Sequence, residues 1–333
     1  MTAGERDQPR GNQARVNEAR TITTGSRRLL TTSAGTESGA FEGYDWALLA
    51  TCALVWGSSF FFISVGLDHF SPGVVTFGRI AFGAMALWSL PATRRIKIDA
   101  VDRGRVALVG VFWMALPLTL YSVAEQWIDS SVAGMITAAT PIWTALVAAM
   151  LLRTMPGRVL RAGLVVGLLG VAVLSWPSVR GADASVAGVV LVVLATASYG
   201  IASNLAVPLQ QRYGGLPVLA RAQLVALVLT APYAVIGIGD SGFGVGSFSA
   251  LLALGVLGTG VAFVAGATLM GRVGATRGSV LTYLMPVVSI TLGVSFLDER
   301  FAAYEGIGVA LVLVGAFLAS RAEHRESAVP VGD

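Results

Sequence analysis

The chain has 333 residues, of which 55% are hydrophobic and only 13% are charged, with a net charge of +4. A soluble domain carries about 25% charged residues, so this composition excludes an ordinary soluble protein and predicts an integral membrane protein. One cysteine excludes an internal disulfide and a multi-cysteine metal site, and a basic charge is expected of cytoplasmic loops, so it does not indicate a nucleic-acid partner.

The first 44 residues differ from the rest of the chain. They hold six arginines among Thr, Ser, Gly and Gln. The stretch "LLTTSAGT" after Arg28 is too short and too polar for the apolar core of a signal peptide. Residues 1–44 are therefore predicted to be a disordered cytoplasmic tail, and residues 322–333 a second cytoplasmic tail.

Ten apolar runs follow the first tail, each long enough to cross a hydrocarbon core of about 30 Å as a helix. They lie near 46–66, 74–91, 104–124, 131–152, 160–176, 185–207, 217–238, 248–270, 277–297 and 304–321. The sequence thus predicts an all-α integral membrane protein with ten transmembrane helices and short loops.

Basic residues are concentrated in alternate loops. The loops after spans 2, 4, 6 and 8 hold most of them, whereas the intervening loops hold only Arg180 and Arg300, together with several acidic residues. Because positive loops stay in the cytoplasm, we expect a protein of the cell membrane with both termini cytoplasmic.

The second half of the chain repeats the first. At an offset of 145, residues 110–170 align without gaps on residues 255–315, and Pro141 falls on Pro286. A looser match pairs Trp56-Gly57 with Tyr199-Gly200.

Each half, 45–178 and 185–321, holds five spans. An odd number of spans places the second copy upside down, which predicts two inverted five-helix repeats. This arrangement is typical of secondary transporters, whose binding site lies at the repeat interface.

Pro141 and Pro286 fall inside apolar runs, where a helical proline costs about 3 kcal/mol. We predict that they break or hinge two equivalent helices and free backbone carbonyls to line a cavity. A kink that serves packing alone is the other interpretation.

Three stretches resemble the drug/metabolite transporter superfamily, in its form with two EamA-like domains. They are "LVWGSSFFFISVG" at 54–66, "SPGVVTFGRIAFGAMALW" at 71–88 and "FLDER" at 296–300. The resemblance implies a transporter that exports a small metabolite, an amino acid or an amphiphilic drug-like compound by alternating access. The family often ends its fourth span with an acidic turn, but this chain has "LLRTMP" at 151–156, so only Glu299 keeps that feature.

Charged residues within spans are functional candidates. Arg79 in span 2 could hold a substrate carboxylate or pair with an acid, or it could extend to the outer headgroups. Glu125, at the outer end of span 3 and at similar depth, could form a gate or a proton-coupling group with Arg79, or it could simply face water.

Four aromatic residues lie far enough inside their spans to form cavity walls for a substrate: Tyr121, Trp143, Tyr199 and Tyr283. Aromatic residues of membrane proteins also form interface belts or pack between helices, so both interpretations remain open.

Enzyme chemistry is not predicted. "GIGD" at 237–240 and Tyr44-Asp45 match fragments of intramembrane aspartyl proteases, but the two acids fall on opposite sides of the bilayer. The two histidines lie in a loop and a tail, so no metal site is expected within the membrane, and no cofactor is expected either.

No nucleotide-binding loop is present, so the expected partners are a small-molecule substrate, the lipid bilayer and a proton or another coupling ion. "GLVVG" at 163–167 predicts close helix packing, within the chain or in a homodimer. The alternative is a membrane scaffold without transport, which would need no central cavity.

Overall fold

The computed structural model describes residues 29–33, 35–36, 41–152, 158–180, 183–299 and 302–326. Within these ranges the regular elements are helices, and a short helix, Ala92–Arg95, connects α2 to α3. The main helices are α1 Gly43–Leu67, α2 Pro72–Trp88, α3 Ala100–Ala124, α4 in the two segments Ser130–Thr137 and Thr140–Leu152, α5 Arg158–Arg180, α6 Asp183–Tyr213, α7 Gly215–Gly237, α8 Val245–Val273, α9 in the segments Ala275–Ser279, Val280–Tyr283 and Met285–Phe296, and α10 Ala303–Glu326.

The predicted all-α membrane fold is confirmed, with one difference in the spans. By length and composition, 7 helices of the described chain can cross a membrane, namely α1, α3, α4 and α6 to α9. Shorter apolar stretches occur in α2, α5 and α10, at Pro72–Trp88, Arg161–Gly170 and Ala303–Gly315. The 17 residues of α2 rise only about 25 Å at 1.5 Å each, which is less than a typical hydrocarbon core.

The connections between helices meet on two opposite faces. On face A, the α1–α2 loop contacts the α7–α8 loop, where Gly242 N donates to His69 O at 2.6 Å. The α9–α10 loop also reaches the start of α4 on face A, through Glu299 and Ser130. These four loops alternate along the chain, as loops on one side of a membrane must.

Face B holds the start of α1 and the connections α2–α3, α6–α7 and α8–α9. Arg272 Nε lies 2.6 Å from Asp45 Oδ1, and Arg212 Nη1 lies 2.8 Å from Asp102 Oδ2. The α1–α2 loop therefore lies on face A, whereas its equivalent, α6–α7, lies on face B. The two repeats are inverted, as predicted.

Helix packing repeats the same symmetry. The α1 helix packs on α8 and α9 as α6 packs on α3 and α4, while α2 pairs with α7 and α5 with α10. A Cβ at Gly110 would lie 2.5 Å from Ala222 O, and one at Gly255 would lie 2.9 Å from Arg79 O. Gly110 and Gly255 are equivalent by the offset of 145, and Arg79 and Ala222 by the looser offset of 143. The two repeats therefore contact each other closely at two symmetry-equivalent positions.

Two glycines bring α5 and α10 into backbone contact. A Cβ at Gly170 would lie 2.9 Å from Gly308 O, and one at the equivalent Gly315 would lie 2.6 Å from Gly163 O. These spacings are shorter than any ordinary carbon contact. The small-residue packing predicted at 163–167 is therefore used within the chain.

Gly170→Ala should lower the stability of the purified protein by about 1–3 kcal/mol, because the added methyl separates α5 from α10. The matched control is Gly246→Ala, since a Cβ there meets nothing within 4 Å. Thermal unfolding in detergent measures both variants. Equal melting temperatures for the two variants would contradict the tight contact.

Part of the predicted tail lies against face B. Ser33 Oγ donates to Gln211 Oε1 at 2.8 Å, and Thr36 N donates to Gly271 O at 3.4 Å. Leu29 lies beside Gly104 of α3. The described residues of this segment therefore contact helices α3, α6 and α8.

Candidate functional site

A cavity of about 40 Å³ lies where the two repeats meet. Its lining combines aromatic rings, hydroxyl groups and a single cation. The lining residues are Trp56, Ser59, Phe60, Ile63, Arg79, Trp113, Tyr121, Thr137, Thr140, Tyr199, Ser203, Phe263, Met270, Thr282 and Met285. The volume holds about three water molecules, so the cavity must expand before an organic metabolite can enter.

The lining follows the repeat symmetry. Thr137 of α4 and Thr282 of α9 are equivalent by the offset of 145, and Trp56 of α1 and Tyr199 of α6 by the offset of 143. Two residues that are related by the repeat symmetry can border the same space only if that space lies on the symmetry axis. The cavity is therefore central to the fold.

Two broken helices, α4 and α9, contribute residues to the cavity lining. Pro141 is the second residue of Thr140–Leu152, and Pro286 is the second residue of Met285–Phe296. The first N–H groups of a helix have no helical acceptor, so a proline there avoids its usual cost. Both α4 and α9 thus stop and restart at the cavity, immediately before the proline.

Arg79 supplies the charge. Its side chain belongs to α2, lines the cavity and is only 2% exposed. Nε donates to Thr259 Oγ1 at 3.3 Å, but neither terminal nitrogen has a hydrogen-bond acceptor or an ion-pair partner among the described residues. Burial excludes the interpretation that Arg79 extends to the headgroups. Arg79 therefore brings unused donors to the cavity lining, whereas the equivalent position of the other repeat has Ala222.

Tyr121 and Tyr199 also line the cavity, with their ring centroids 5.9 Å apart. Tyr121 Oη and Thr137 Oγ1 share a hydrogen bond of 2.8 Å. Phe60 packs edge-on against Tyr121 at 5.5 Å. This wall is apolar with a few fixed hydroxyls, as expected of a site for an amphiphilic molecule.

Trp56, Phe263 and Trp113 form a second aromatic group in the lining. Centroid distances are 5.2 Å between Trp56 and Phe263 and 5.7 Å between Trp113 and Phe263. Trp56 Nε1 donates to Gly258 O at 3.0 Å, which satisfies the indole N–H. Gly258 belongs to the π-helical segment Leu254–Val261, and an equivalent π segment, Gly110–Ala115, occupies α3. Such segments are frequent at functional sites.

The other two predicted aromatic residues do not belong to the lining set. At Trp143 the backbone of α4 approaches α6, because a Cβ at Gly200 would lie 2.8 Å from Trp143 C. Tyr283 follows the lining residue Thr282 in the 3₁₀ segment Val280–Tyr283, where successive residues point about 120° apart. Trp143 and Tyr283 thus lie outside the residues that line this cavity, and their role as cavity walls stays a prediction.

Several lining residues were missed by the sequence reasoning, which weighed only charged and aromatic side chains deep within spans. Thr137 and Thr282 align at the offset of 145, next to the prolines, so the repeat itself could have identified them. Phe263 and Trp113 carry no such signal, because aromatic residues are common in apolar spans.

Glu125 lies one residue beyond α3, four residues after Tyr121. The residue as a whole is half-buried, but both carboxylate oxygens are buried and have no hydrogen-bond partner among the described residues. Burial raises the pKa of Glu125 well above its ordinary value, the charge of Arg79 opposes this shift, and Glu299 adds to it. The interpretation of Glu125 as a water-facing carboxylate therefore does not hold.

Glu299 joins the repeats on face A. Its Oε1 accepts from Ser130 N at 2.9 Å and Ser130 Oγ at 2.8 Å, and its Oε2 accepts from Ser131 N at 3.1 Å. Ser130 and Ser131 are the first two residues of α4. The carboxylate of the second repeat therefore caps the N-terminus of a helix of the first repeat. Gly293 leaves room for the carboxylate, because a Cβ there would collide with it.

Inverted five-helix repeats around a shared cavity, with a broken helix in each repeat, define the architecture of membrane transporters. The model of the EamA-like transporter family matches residues 45–176 and 186–321, one match for each repeat. The chain belongs to the EamA-like transporter family.

Relatives are similar at low identity over nearly their whole length. An uncharacterized transporter of Archaeoglobus fulgidus is 25% identical over 83% of this chain and 98% of its own. A probable terminal-alkyne amino-acid exporter of Streptantibioticus cattleyicolor is 27% identical over 86% of this chain and 97% of its own. An uncharacterized inner membrane transporter of Escherichia coli K12 is 23% identical over 84% and 91%, respectively. One crystal structure superposes with a TM-score of 0.61 at 20% identity over 83% of this chain and 96% of that one, which shows a shared fold.

Proposed function

We propose that this protein is a secondary transporter that exports a small amphiphilic compound with a carboxylate group. The buried guanidinium of Arg79, which lines the cavity and whose terminal nitrogens have no partner among the described residues, is the observation that carries the proposal. An unpaired buried arginine is unfavourable, and a carboxylate would satisfy it through two parallel hydrogen bonds. The exporter named among the relatives supports both the direction and the amino-acid class.

The aromatic walls suit the apolar part of such a compound. Trp56, Tyr121 and Tyr199 contribute aromatic rings to the lining, while Thr137 and Thr282 contribute hydroxyls. A polyanion would need more than one cation, and Arg79 is the cation in the lining set. A scaffold without transport would gain nothing from a buried charge beside a cavity.

The proposal is tested by comparing the medium and cell extracts of a deletion strain with those of a strain that overproduces the protein. One carboxylate-bearing compound should accumulate in the medium on overproduction and inside the cells on deletion. Overproduction of the Arg79→Ala variant at an equal membrane level is the matched control. Identical metabolite profiles in all strains would contradict export.

Alternating access supplies the route, because a cavity of about 40 Å³ must expand to admit an organic molecule. We propose that Pro141 and Pro286 keep α4 and α9 broken, so that each segment can tilt by itself. Pro141→Ala and Pro286→Ala should each slow transport several-fold at nearly unchanged expression, measured as initial efflux rates. Normal transport by both variants would assign the prolines to packing.

We further propose that face B is cytoplasmic, because the start of α1 and the basic α2–α3 connection lie on it. A reporter fused after Arg321 should behave as cytoplasmic, and a reporter in the loop around Asp240 as external. Alkaline phosphatase and green fluorescent protein fusions report opposite sides of the membrane. The reverse pattern would contradict this orientation.

A further inference from the structure

We propose that the segment of residues 29–36 is a latch, which holds the two repeats together on face B and must detach before the cavity can open there. The structure describes residues 29–33 and 35–36 of this segment. Such a latch concerns how one face of the protein is closed, and it does not depend on the compound that is transported.

The latch contacts both repeats. At one end, a Cβ at Gly104 in α3 of the first repeat would lie 3.5 Å from Leu29 Cδ2. Further along, Ser33 Oγ donates to Gln211 Oε1 at 2.8 Å, in α6 of the second repeat. At the other end the chain continues into α1, which ties the latch covalently to the first repeat. The latch therefore crosses from one repeat to the other on face B.

Gly35 packs backbone to backbone against the end of α8 and the α8–α9 connection. A Cβ at Gly35 would collide with backbone atoms of Arg272, Val273 and Gly274. In the opposite direction, a Cβ at Gly274 would lie 3.2 Å from Gly35 N, and Gly274 has a φ of 86°, which favours glycine. Because only glycine permits this approach, the latch is matched in shape to the surface that it covers.

One anchor point of the latch adjoins an ion pair between the repeats. Arg272 Nε of α8 lies 2.6 Å from Asp45 Oδ1 of α1, so this pair links the second repeat to the first. Thr36 N donates to Gly271 O at 3.4 Å, and Thr36 Oγ1 lies 3.5 Å from Arg272 O. The latch thus binds the backbone of the same turn of α8 that carries the paired arginine.

The second anchor point adjoins the other ion pair between the repeats. Arg212 Nη1 of α6 lies 2.8 Å from Asp102 Oδ2 of α3. Arg212 directly follows Gln211, the partner of Ser33. Both anchor points of the latch therefore lie next to the arginines that join the repeats on face B.

Opening of face B would disturb all of these contacts together. Helices α1, α3, α6 and α8 all contribute residues to the cavity lining. Access from face B requires α1 and α3 of the first repeat to move away from α6 and α8 of the second. This movement breaks both ion pairs and separates the surfaces that the latch bridges, so a bound latch favours the state that is closed on face B.

Thiol labelling measures the opening of face B. Ser203→Cys places a thiol in the cavity lining, in a background where Cys52→Ala removes the native cysteine. A membrane-impermeant reagent is added to spheroplasts and to inverted membrane vesicles that contain the full-length protein. In a separate sample, labelling of Asp240→Cys, an exposed position in the α7–α8 loop, identifies the preparation that presents face A. The result therefore does not depend on which face is cytoplasmic.

Gly35→Ala should speed the labelling of Ser203→Cys from the side of face B about fivefold, because the added methyl displaces the latch and its exposed hydrogen bonds are lost. Labelling from the side of face A should not rise. Gly43→Ala is the matched control, since a Cβ there meets nothing within 4 Å. Gly35→Leu carries a larger side chain and should have at least the same effect as Gly35→Ala.

Docking of the latch is measured separately, through a disulfide between Ser33→Cys and Gln211→Cys in the Cys52→Ala background. The two native side chains are hydrogen-bonded, so the disulfide should form readily on mild oxidation. Gly35→Ala should slow its formation.

Three results would overturn the proposal of a latch. If no disulfide forms with Gly35 in place, the segment does not dock on face B. If Gly35→Ala, Gly35→Leu and Gly43→Ala are labelled from face B at the same rate, the segment docks without holding the repeats together. If labelling rises equally from both faces, the substitution loosens the whole fold. Failure of the proposed function would appear elsewhere, as unchanged metabolite profiles in the export experiment.

Discussion

Arg79→Ala should abolish transport while the protein still reaches the membrane. Two charge-assisted hydrogen bonds from a desolvated guanidinium to a carboxylate contribute about 3 kcal/mol or more, which corresponds to about a hundredfold in affinity. The alanine variant also removes the donor to Thr259 Oγ1. Arg79→Lys keeps the charge but loses the planar fork, so transport should fall clearly without vanishing.

Transport assays in proteoliposomes or intact cells measure these variants at matched membrane levels. Arg103→Ala removes an exposed arginine at the start of α3 and serves as the control. If Arg79 serves only to neutralise Glu125, then Glu125→Gln should restore much of the activity lost in Arg79→Ala, because it removes the stranded acid. Wild-type rates for Arg79→Ala would show that the substrate binds elsewhere.

The architecture follows from the sequence because the bilayer simplifies the problem. Because the hydrocarbon core contains no water, the backbone N–H and C=O groups must form hydrogen bonds with each other, so each apolar run becomes a helix. The repeat at an offset of 145 then gives the symmetry, and its odd number of spans gives the inversion. The bounds of α2 were less predictable: it covers Pro72–Trp88, since Ser89 and Pro91 lie inside the run expected at 74–91.

The site was predictable only in part. Arg79, Tyr121 and Tyr199 do line the cavity, since a charge or a polar aromatic residue deep in a span is rare. Trp143 is also an aromatic residue deep in a span, but it is not among the lining residues, and α4 approaches α6 closely at Gly200 beside its backbone. The position of a residue within an apolar run indicates how deep it lies in the membrane. The direction of its side chain depends instead on which neighbouring helix approaches most closely, which the run does not indicate.

The interaction of Glu299 with α4 could not be read from the sequence, because its partners lie 169 and 168 residues away. The family resemblance indicated only that an acidic residue often follows the fourth and ninth spans. The structure adds a physical role on face A: a carboxylate that closes the helix start of the other repeat.

Glu299→Ala should shift the protein toward a state that is open on face A. Three hydrogen bonds from Ser130 and Ser131 end on this one carboxylate, two of them from backbone N–H groups at the positive end of α4. Hydrogen bonds to a charged group contribute about 1.5–3 kcal/mol, which changes a two-state equilibrium about tenfold to a hundredfold. The equivalent position of the first repeat is Thr154, which lies outside the described residues and carries no carboxylate, so the substitution removes a contact that the sequence provides on face A alone.

A thiol reporter measures this shift. Ser59→Cys places a thiol in the cavity wall, in a background where the native cysteine is replaced by Cys52→Ala. Glu299→Ala should speed its labelling by a membrane-impermeant reagent, added from the side of face A, about tenfold. Glu299→Gln should have an intermediate effect, because the amide keeps one acceptor and loses the charge. Asp298→Asn is the control, since Asp298 is the exposed neighbouring acid with φ of 54°, a conformation that asparagine also tolerates. If labelling of Glu299→Ala matches that of the control, the carboxylate caps α4 without holding the two repeats together, and closure of face A must come from the contacts of the α1–α2 and α7–α8 loops.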